Sequence, residues 1–204
     1  MAGPTRDFWQ ARFDAQQTPW DRGGPSPQLL AWQARGEAPA AGSRVVVPGC
    51  GSGWELATLA AQGCEVIGLD YAEAAVQRSR ALLQGRGLAA RVEQADVLEW
   101  APAQPLDAVY EQTCLCALHP DAWVAYAQQL HRWLRPDGRL YALFMQALRP
   151  NAATGAIEGP PYHCDIHAMR ALFPEPQWLW PKPPYEQQPH PMGHTELALV
   201  LLRR

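Results

Sequence analysis

The sequence predicts one α/β domain, a mostly parallel sheet with helices on both faces. Three observations predict it. Val45, Val46 and Val47 form a short unbroken apolar run, the pattern of a strand buried on both sides. The run enters a glycine-rich turn, Pro48 to Gly53, and then a helical stretch. Beyond it, strand-like and helix-like segments alternate at the spacing of βαβ units, and the second and third strands end in acids, Asp70 and Asp96.

The elements follow in order. Residues 6 to 24 hold Phe8, Trp9, Phe13 and Trp20, too apolar for a free tail. A short helix from Arg6 to Gln16 is expected there, then an ordered loop. Pro27 suits the first turn of a second helix, Gln28 to Gln33. Gly36 to Gly42 reads as a linker. After the first strand, a helix runs from Trp54 to Gln62 and stops at Gly63. Glu65 to Leu69 is the second strand. A helix over Ala72 to Leu83 puts Ala72, Val76, Leu82 and Leu83 on one side and ends at Gly85 and Gly87. Arg91 to Ala95 is the third strand and Asp107 to Tyr110 the fourth. Asp121 is placed to cap a helix ending at Leu134, with Trp123, Ala127, Leu130 and Leu134 inward. Arg135-Pro136-Asp137-Gly138 reads as a turn before a fifth strand, Arg139 to Phe144. Residues 145 to 162, with Pro150, Gly155, Gly159, Pro160 and Pro161, read as a long loop. Asp165 caps a short helix to Leu172. Pro174 to Pro191 should be extended or irregular, and Glu196 to Leu202 is a last apolar strand.

Composition narrows the function. Of 204 residues, 48% are hydrophobic and 18% charged, the balance of a folded chain rather than a disordered one. Seventeen basic against 20 acidic residues leave −3, so no basic surplus points to nucleic acid. No apolar run approaches the ~20 residues that span a bilayer, and the opening segment lacks a signal-peptide core. Five cysteines, an odd number, fit reduced thiols in the cytoplasm. The expectation is a monomer acting on a small molecule, without nucleic acid or membrane.

The chemistry gathers around VVVPGCGSGWE, residues 45 to 55. Gly49, Gly51 and Gly53 stand where a buried strand meets a helix, so the backbone turns tightly and comes close to a ligand. Asp70 can accept both hydroxyls of a ribose, and Asp96 a hydrogen bond from an adenine amine. A dinucleotide site spaces its glycines as Gly-x-Gly-x-x-Gly, but here the third is one position early and bulky Trp54 follows. Glu55 in the first turn would also oppose a pyrophosphate. S-adenosylmethionine has no phosphate and carries a sulfonium, which tolerates nearby acids. No metal site is expected. Cys114-x-Cys116 has the wrong spacing for zinc. His163-Cys164-Asp165-x-His167 would put two histidines on one face if helical, but no second cluster completes it.

The segment Leu134 to Leu140 resembles the turn of class I S-adenosylmethionine-dependent methyltransferases. A narrower resemblance covers residues 8 to 173. Trp9-x3-Phe13-x6-Trp20 with Asp21, the VPGCGSG loop, the Tyr110-to-Pro120 segment and Gly159-Pro160-Pro161-Tyr162 resemble the thiopurine S-methyltransferase family, especially its halide and thiol branch. The resemblance implies a Rossmann-like core of seven strands over residues 43–204, with an N-terminal lid over residues 1–35. It implies that Trp9, Phe13 and Trp20 close over the cofactor, although tryptophan is usual at position 13. Gly49, with Gly51 and Gly53, would hold the methionine part and Asp70, with Tyr71 beside it, the ribose. Asp96 with Val97 would hold the adenine, and Glu111 and Gln112 would lie beside the cofactor. Tyr162 and His119 are the acceptor-side candidates, with His163 a further possible base. The reaction implied is direct displacement onto a thiol, halide or other chalcogen, giving S-adenosylhomocysteine. The alternatives are an O- or N-methyltransferase with a histidine base, a non-catalytic cofactor-binding protein, and a nicotinamide oxidoreductase. The C-terminal end, rich in Pro and His, matches the family poorly.

Overall fold

A computed structural model describes residues 3–151 and 156–204; Gly155, expected within the long loop, lies outside the described residues. The central valines explain the sheet. In β1 (Arg44–Pro48), Val45 and Val47 join one apolar layer and Val46 the other, because successive strand side chains point to opposite faces. β1 pairs in parallel with β2 (Glu65–Asp70) and β4 (Leu106–Gln112). β3 (Arg91–Gln94) flanks β2, and β5 (Leu134–Gln146) flanks β4, both in parallel. The order runs β3-β2-β1-β4-β5-β8-β6, with β8 (Thr195–Arg203) antiparallel to β5. β6 (Trp178–Leu179) and β7 (Glu186–Pro189) both pair with β8, bringing the sheet to eight strands.

One layer packs α2 (Pro27–Ala34), α3 (Trp54–Ala61) and α4 (Glu73–Gly85) on the sheet through Leu29, Trp32, Leu56, Leu59, Val76 and Leu83. The other packs α6 (Trp123–Trp133) and α7 (Ile166–Leu172) through Tyr126, Leu130, Trp133 and Met169. α1 (Arg6–Asp14) lies apart from both layers, with Phe13 against Ala72 and Ala75. A short helix, α5 (Cys114–Ala117), follows β4.

Several expectations shift for identifiable reasons. The first helix stops at Asp14 rather than Gln16, which has a positive φ. Asp121 does not cap α6. It lies in a 3-10 turn, Pro120–Ala122, whose N-cap is His119, with Nδ1 accepting from the Asp121 N–H at 3.3 Å. The turn at Arg135 to Gly138 is real but interrupts a longer strand. Leu106 opposes Leu134 and Ala108 opposes Arg139, so four residues bulge from the ladder. Asp165 caps α7 as expected, accepting from His167 and Ala168. His163 precedes that helix, so it does not share a face with His167. The proline-rich stretch is not wholly irregular, since β6 and β7 find partners in β8.

Candidate functional site

One cavity of about 500 Å³ opens at the carboxyl edge of the parallel strands, where open α/β sheets place ligands. Its floor is the glycine turn between β1 and α3. Gly51 has φ 54°, and a Cβ there would meet nothing nearer than the tip of Phe13, at 4.0 Å. The Gly51 N–H donates to Asp70 Oδ2 at 2.9 Å, and the Ala72 N–H donates to Oδ1 at 2.9 Å. The end of β2 is thereby tied to the glycine turn. Burial pushes the Asp70 carboxyl up to about 6, against the amides that hold it down. Beyond the amides of Gly51, Ala72 and Tyr71, the carboxylate retains acceptor capacity. Asp96, after β3, uses Oδ1 for the Leu98 N–H at 2.8 Å and faces the cavity with Ala95 and Val97.

α1 and the loop after it form the roof. Trp9 and Trp20 meet edge to face at 5.5 Å, and Phe13 and Trp20 at 5.8 Å. Arg78 of α4 fastens the roof by donating to the Phe13 carbonyl, and Gln10 accepts from the Ala74 N–H. Asp21 binds the roof to the floor, accepting from Ser52 Oγ and from Trp54 Nε1 at 2.9 Å. Arg22 binds it to the sheet. Its guanidinium donates to Glu196 Oε2 and to the Pro189 carbonyl, each at 3.2 Å. Glu196 is fully buried and also accepts from Gln112 Nε2, whose Oε1 accepts from the Tyr110 hydroxyl. Burial lifts Glu196 to about 7 and outweighs the pull of Arg22.

Trp9, Phe13, Trp20, Gly49, Gly51, Asp70, Tyr71, Asp96, Val97, Gln112 and His119 all line this cavity. Three expected residues do not. Gly53 faces α4, where an added Cβ would come within 2.7 Å of Ser79 Oγ; it lets two helices approach. Glu111 is buried behind the wall and accepts from the Leu115 N–H at 2.7 Å, which reduces it to capping α5; burial raises it to about 7. Tyr162 packs its ring edge-on against His119, 5.4 Å between centroids, one layer back from the cavity. His163 is likewise outside it. Among the described residues, no group of three His, Cys, Asp or Glu is placed to hold a metal ion.

Sequence reading missed Asp21, Arg22 and Glu196 as parts of the site, and His190 and Met192, which close the cavity from the turn between β7 and β8. The only sequence signal for them was Asp21 in TPWD. The others act from more than 100 residues away, or from the segment that matches no motif.

The arrangement suits a ligand with hydroxyl and amine donors and a cation, because it offers two acids and three aromatic faces. It suits a phosphate poorly. Glu55 occupies the first turn of α3, its carboxylate accepting from the Ser26 N–H at 2.9 Å.

The profile of the thiopurine S-methyltransferase family matches residues 4–180. A thiopurine S-methyltransferase of Azotobacter vinelandii is 31% identical, over 82% of this chain and 81% of its own length. Thiocyanate methyltransferase 1 of Arabidopsis thaliana is 28% identical, over 81% of this chain and 70% of its own. Burkholderia thailandensis 1,6-didemethyltoxoflavin-N1-methyltransferase, solved with S-adenosylhomocysteine, shares the fold at a TM-score of 0.75 and 19% identity, over 100% of this chain and 93% of that one.

Proposed function

Because the chain belongs to the thiopurine S-methyltransferase family and is therefore an S-adenosylmethionine-dependent methyltransferase, we propose that it methylates a small sulfur nucleophile. Halides and other chalcogens are the nearest related acceptors. The observation that carries this reading is the sharing of one cavity by the glycine turn, Asp70, Asp96 and the Trp9–Phe13–Trp20 roof. These residues fit the cofactor: Asp70 takes the ribose hydroxyls, Asp96 the adenine amine, and the aromatic rings the sulfonium. Gly49 and Gly51 keep the floor low for the methionine part. Bound there, S-adenosylmethionine supplies an electrophilic methyl, which the acceptor's lone pair takes by direct displacement as the methyl–sulfonium bond breaks.

The chain's own residues contribute position and dryness. The roof excludes water, so an anionic nucleophile loses its hydration shell beside the electrophile. Asp21 and Arg22 keep the roof down, and Gln112, held by Glu196 and Tyr110, fixes the wall at the end of β4. A soft anion needs no base. In this reading the chain is one domain working as a monomer in the cytoplasm on a small molecule. Five free, buried cysteines support it; among the described residues, no helix is long and apolar enough to cross a membrane.

A second reading, transfer to oxygen or nitrogen with a histidine base, rests on His119, whose Nδ1 lies 3.3 Å from Asp121 Oδ2. Its Nδ1 also accepts from the Asp121 N–H, so His119 acts as a base in this reading only where that contact is exchanged for the Asp121 carboxylate, leaving Nε2 free to take a proton. Calorimetry with S-adenosylhomocysteine on the full chain and on Trp20→Ala tests the cofactor site. Weaker binding by the variant is expected, and no binding by either protein would end both readings. Turnover of thiocyanate or thiophenol in His119→Gln at the wild-type rate favours sulfur; loss of turnover on a phenol or amine acceptor favours the base.

A further inference from the structure

The roof is held at two ends. Toward the C-terminal end of α1, Arg78 of α4 donates to the Phe13 carbonyl, and Gln10 accepts from the Ala74 N–H. At the other end, the chain leading into α1 reaches across the strand edge to His119, in the turn that follows α5. Thr5 joins that lead to the helix, its Oγ1 accepting from the Phe8 N–H at 3.3 Å. The lead and α1 therefore span both halves of the cavity. The glycine turn, Asp70 and Asp96 stand at β1, β2 and β3, which leaves the acceptor the space over β4 and β5. Gly3, Pro4 and Thr5 line the cavity together with His119, which follows β4, and Met145 of β5. We propose that Gly3, seated on His119, is the specificity-determining residue of this enzyme: it closes the acceptor half around a small sulfur nucleophile and shuts out a bicyclic thiol.

Gly3 has a φ of 102°, a conformation that glycine adopts at no steric cost. A Cβ built on it would stand 2.6 Å from the His119 Cβ and 3.3 Å from its Cγ. The missing side chain is what lets the backbone lie directly on the histidine. His119 is not free to give way. Its Nδ1 accepts from the Asp121 N–H at 3.3 Å, and its ring meets the Tyr162 ring edge to face, 5.4 Å between centroids. Tyr162 is buried in turn, and its N–H donates to the Cys116 carbonyl at 2.8 Å. The seat of Gly3 is thus backed by a fixed wall, so anything bulkier at position 3 has to lift the lead rather than push the histidine aside.

Size, more than charge, sets the substrate class. The cavity holds about 500 Å³, within the roughly 300–1,000 Å³ that takes one drug-sized ligand. S-adenosylmethionine is itself a ligand of that size, so the space left beside it suits an acceptor of few atoms. Leu118, Met145 and Pro160 give that space an apolar lining, which suits a soft, weakly hydrated nucleophile. The acids Asp21, Glu55, Asp70 and Asp96 outnumber Arg12 and Arg22 in the lining, and Arg22 is already paired with Glu196. Selection by an anion contact has no support there. The inference deepens the methyl-transfer reading of the cavity and rests on it.

The test compares wild type with Gly3→Ala on two acceptors, sodium sulfide and 2-naphthalenethiol. Wild type should turn over sulfide and discriminate against the bicyclic thiol. Gly3→Ala should raise the ratio of kcat/KM for 2-naphthalenethiol over sulfide roughly tenfold or more, the scale on which a pocket reads one methylene. Affinity for S-adenosylhomocysteine should stay within about twofold, because the far end of α1 keeps its own fastenings. An unchanged ratio with normal cofactor binding overturns the proposal. The seat itself is read without turnover. In ligand-free protein carrying 15N-histidine, Gly3→Ala should move the His119 ring resonances, and resonances that stay put overturn the proposal. Failure of wild type to bind S-adenosylhomocysteine would instead strike at the methyltransferase reading, and the His119 resonances would still decide whether Gly3 is seated.

Discussion

Asp70 ties the end of β2 to the floor of the cavity, and the ribose contact proposed for it makes the first prediction. A ribose hydroxyl donates, so the carboxylate form binds. With a carboxyl pushed up to about 6 by burial, affinity for S-adenosylhomocysteine should hold from pH 8 to 7. It should then fall as the proton competes, about tenfold per pH unit well below 6. Calorimetry across that range checks it, and the dependence should vanish in Asp70→Asn. Asp70→Ala should cost about 1–3 kcal/mol of binding through lost charge-assisted hydrogen bonds. At this scale the sequence was readable where chemistry is local. Gly51 and Asp70 are 19 positions apart and share one strand–helix–strand unit. Gly53 misled, because the same glycine spacing serves helix packing as well as ligand approach. Glu111 misled because an acid after a strand can cap the next helix. His190 was missed as a lining residue, since the cavity it borders is built by distant segments.

Elements show where packing overrides local pattern. Gly53 is the N-cap of α3 with φ 83°, and Ser79 of α4 fills the space a Cβ would need. Gly53→Ala should therefore destabilise the fold by about 1–3 kcal/mol, from left-handed strain and overpacking, read as a lower urea midpoint with an unchanged slope. The roof gives a sharper comparison. Arg22→Met removes the cation beside Glu196, and because that carboxyl is already raised to about 7 it takes up a proton instead of standing charged, so the cost at neutral pH should be about 1–3 kcal/mol and grow above pH 7. Glu196→Gln should cost less, because a carboxyl raised to about 7 is already half-protonated near neutrality. A double-mutant cycle on the pair checks both. The strands and helices around the glycine turn followed from periodicity. The α6 cap did not, because Asp121 and His119 both offer side chains at that corner and the tertiary contact with Tyr162 seats the histidine. β6 and β7 were hidden by prolines. Their pairing is supplied by β8 rather than by their own composition.

For the molecule as a whole, buried acids set the pH response. Glu111 and Glu196 are raised to about 7 and Asp70 to about 6, with Glu55 raised as well, all chiefly by burial. A raised carboxyl stabilises the fold below its unfolded value and loses that contribution as pH climbs through its folded one. The depressed histidines, His131, His190 and His194, oppose this increasingly as pH falls toward and below the ordinary histidine value. Stability of the ligand-free protein should thus rise by about 1 kcal/mol from pH 8 to 6.5, seen as a Tm higher by a few degrees. The overall sheet was legible because its central strands are apolar on both faces; the closure of the cavity was not, since it links opposite ends of the chain. Arg22 and Glu196 are 174 positions apart, and among the described residues β8 is the strand that covers the open side of β5. During synthesis, the glycine turn and both aspartates therefore leave the ribosome long before the strand that pins the roof. A nascent chain that has reached β5 would carry the glycine turn and both aspartates and still be unable to shut, so the proposed capture of methyl donor waits for β8.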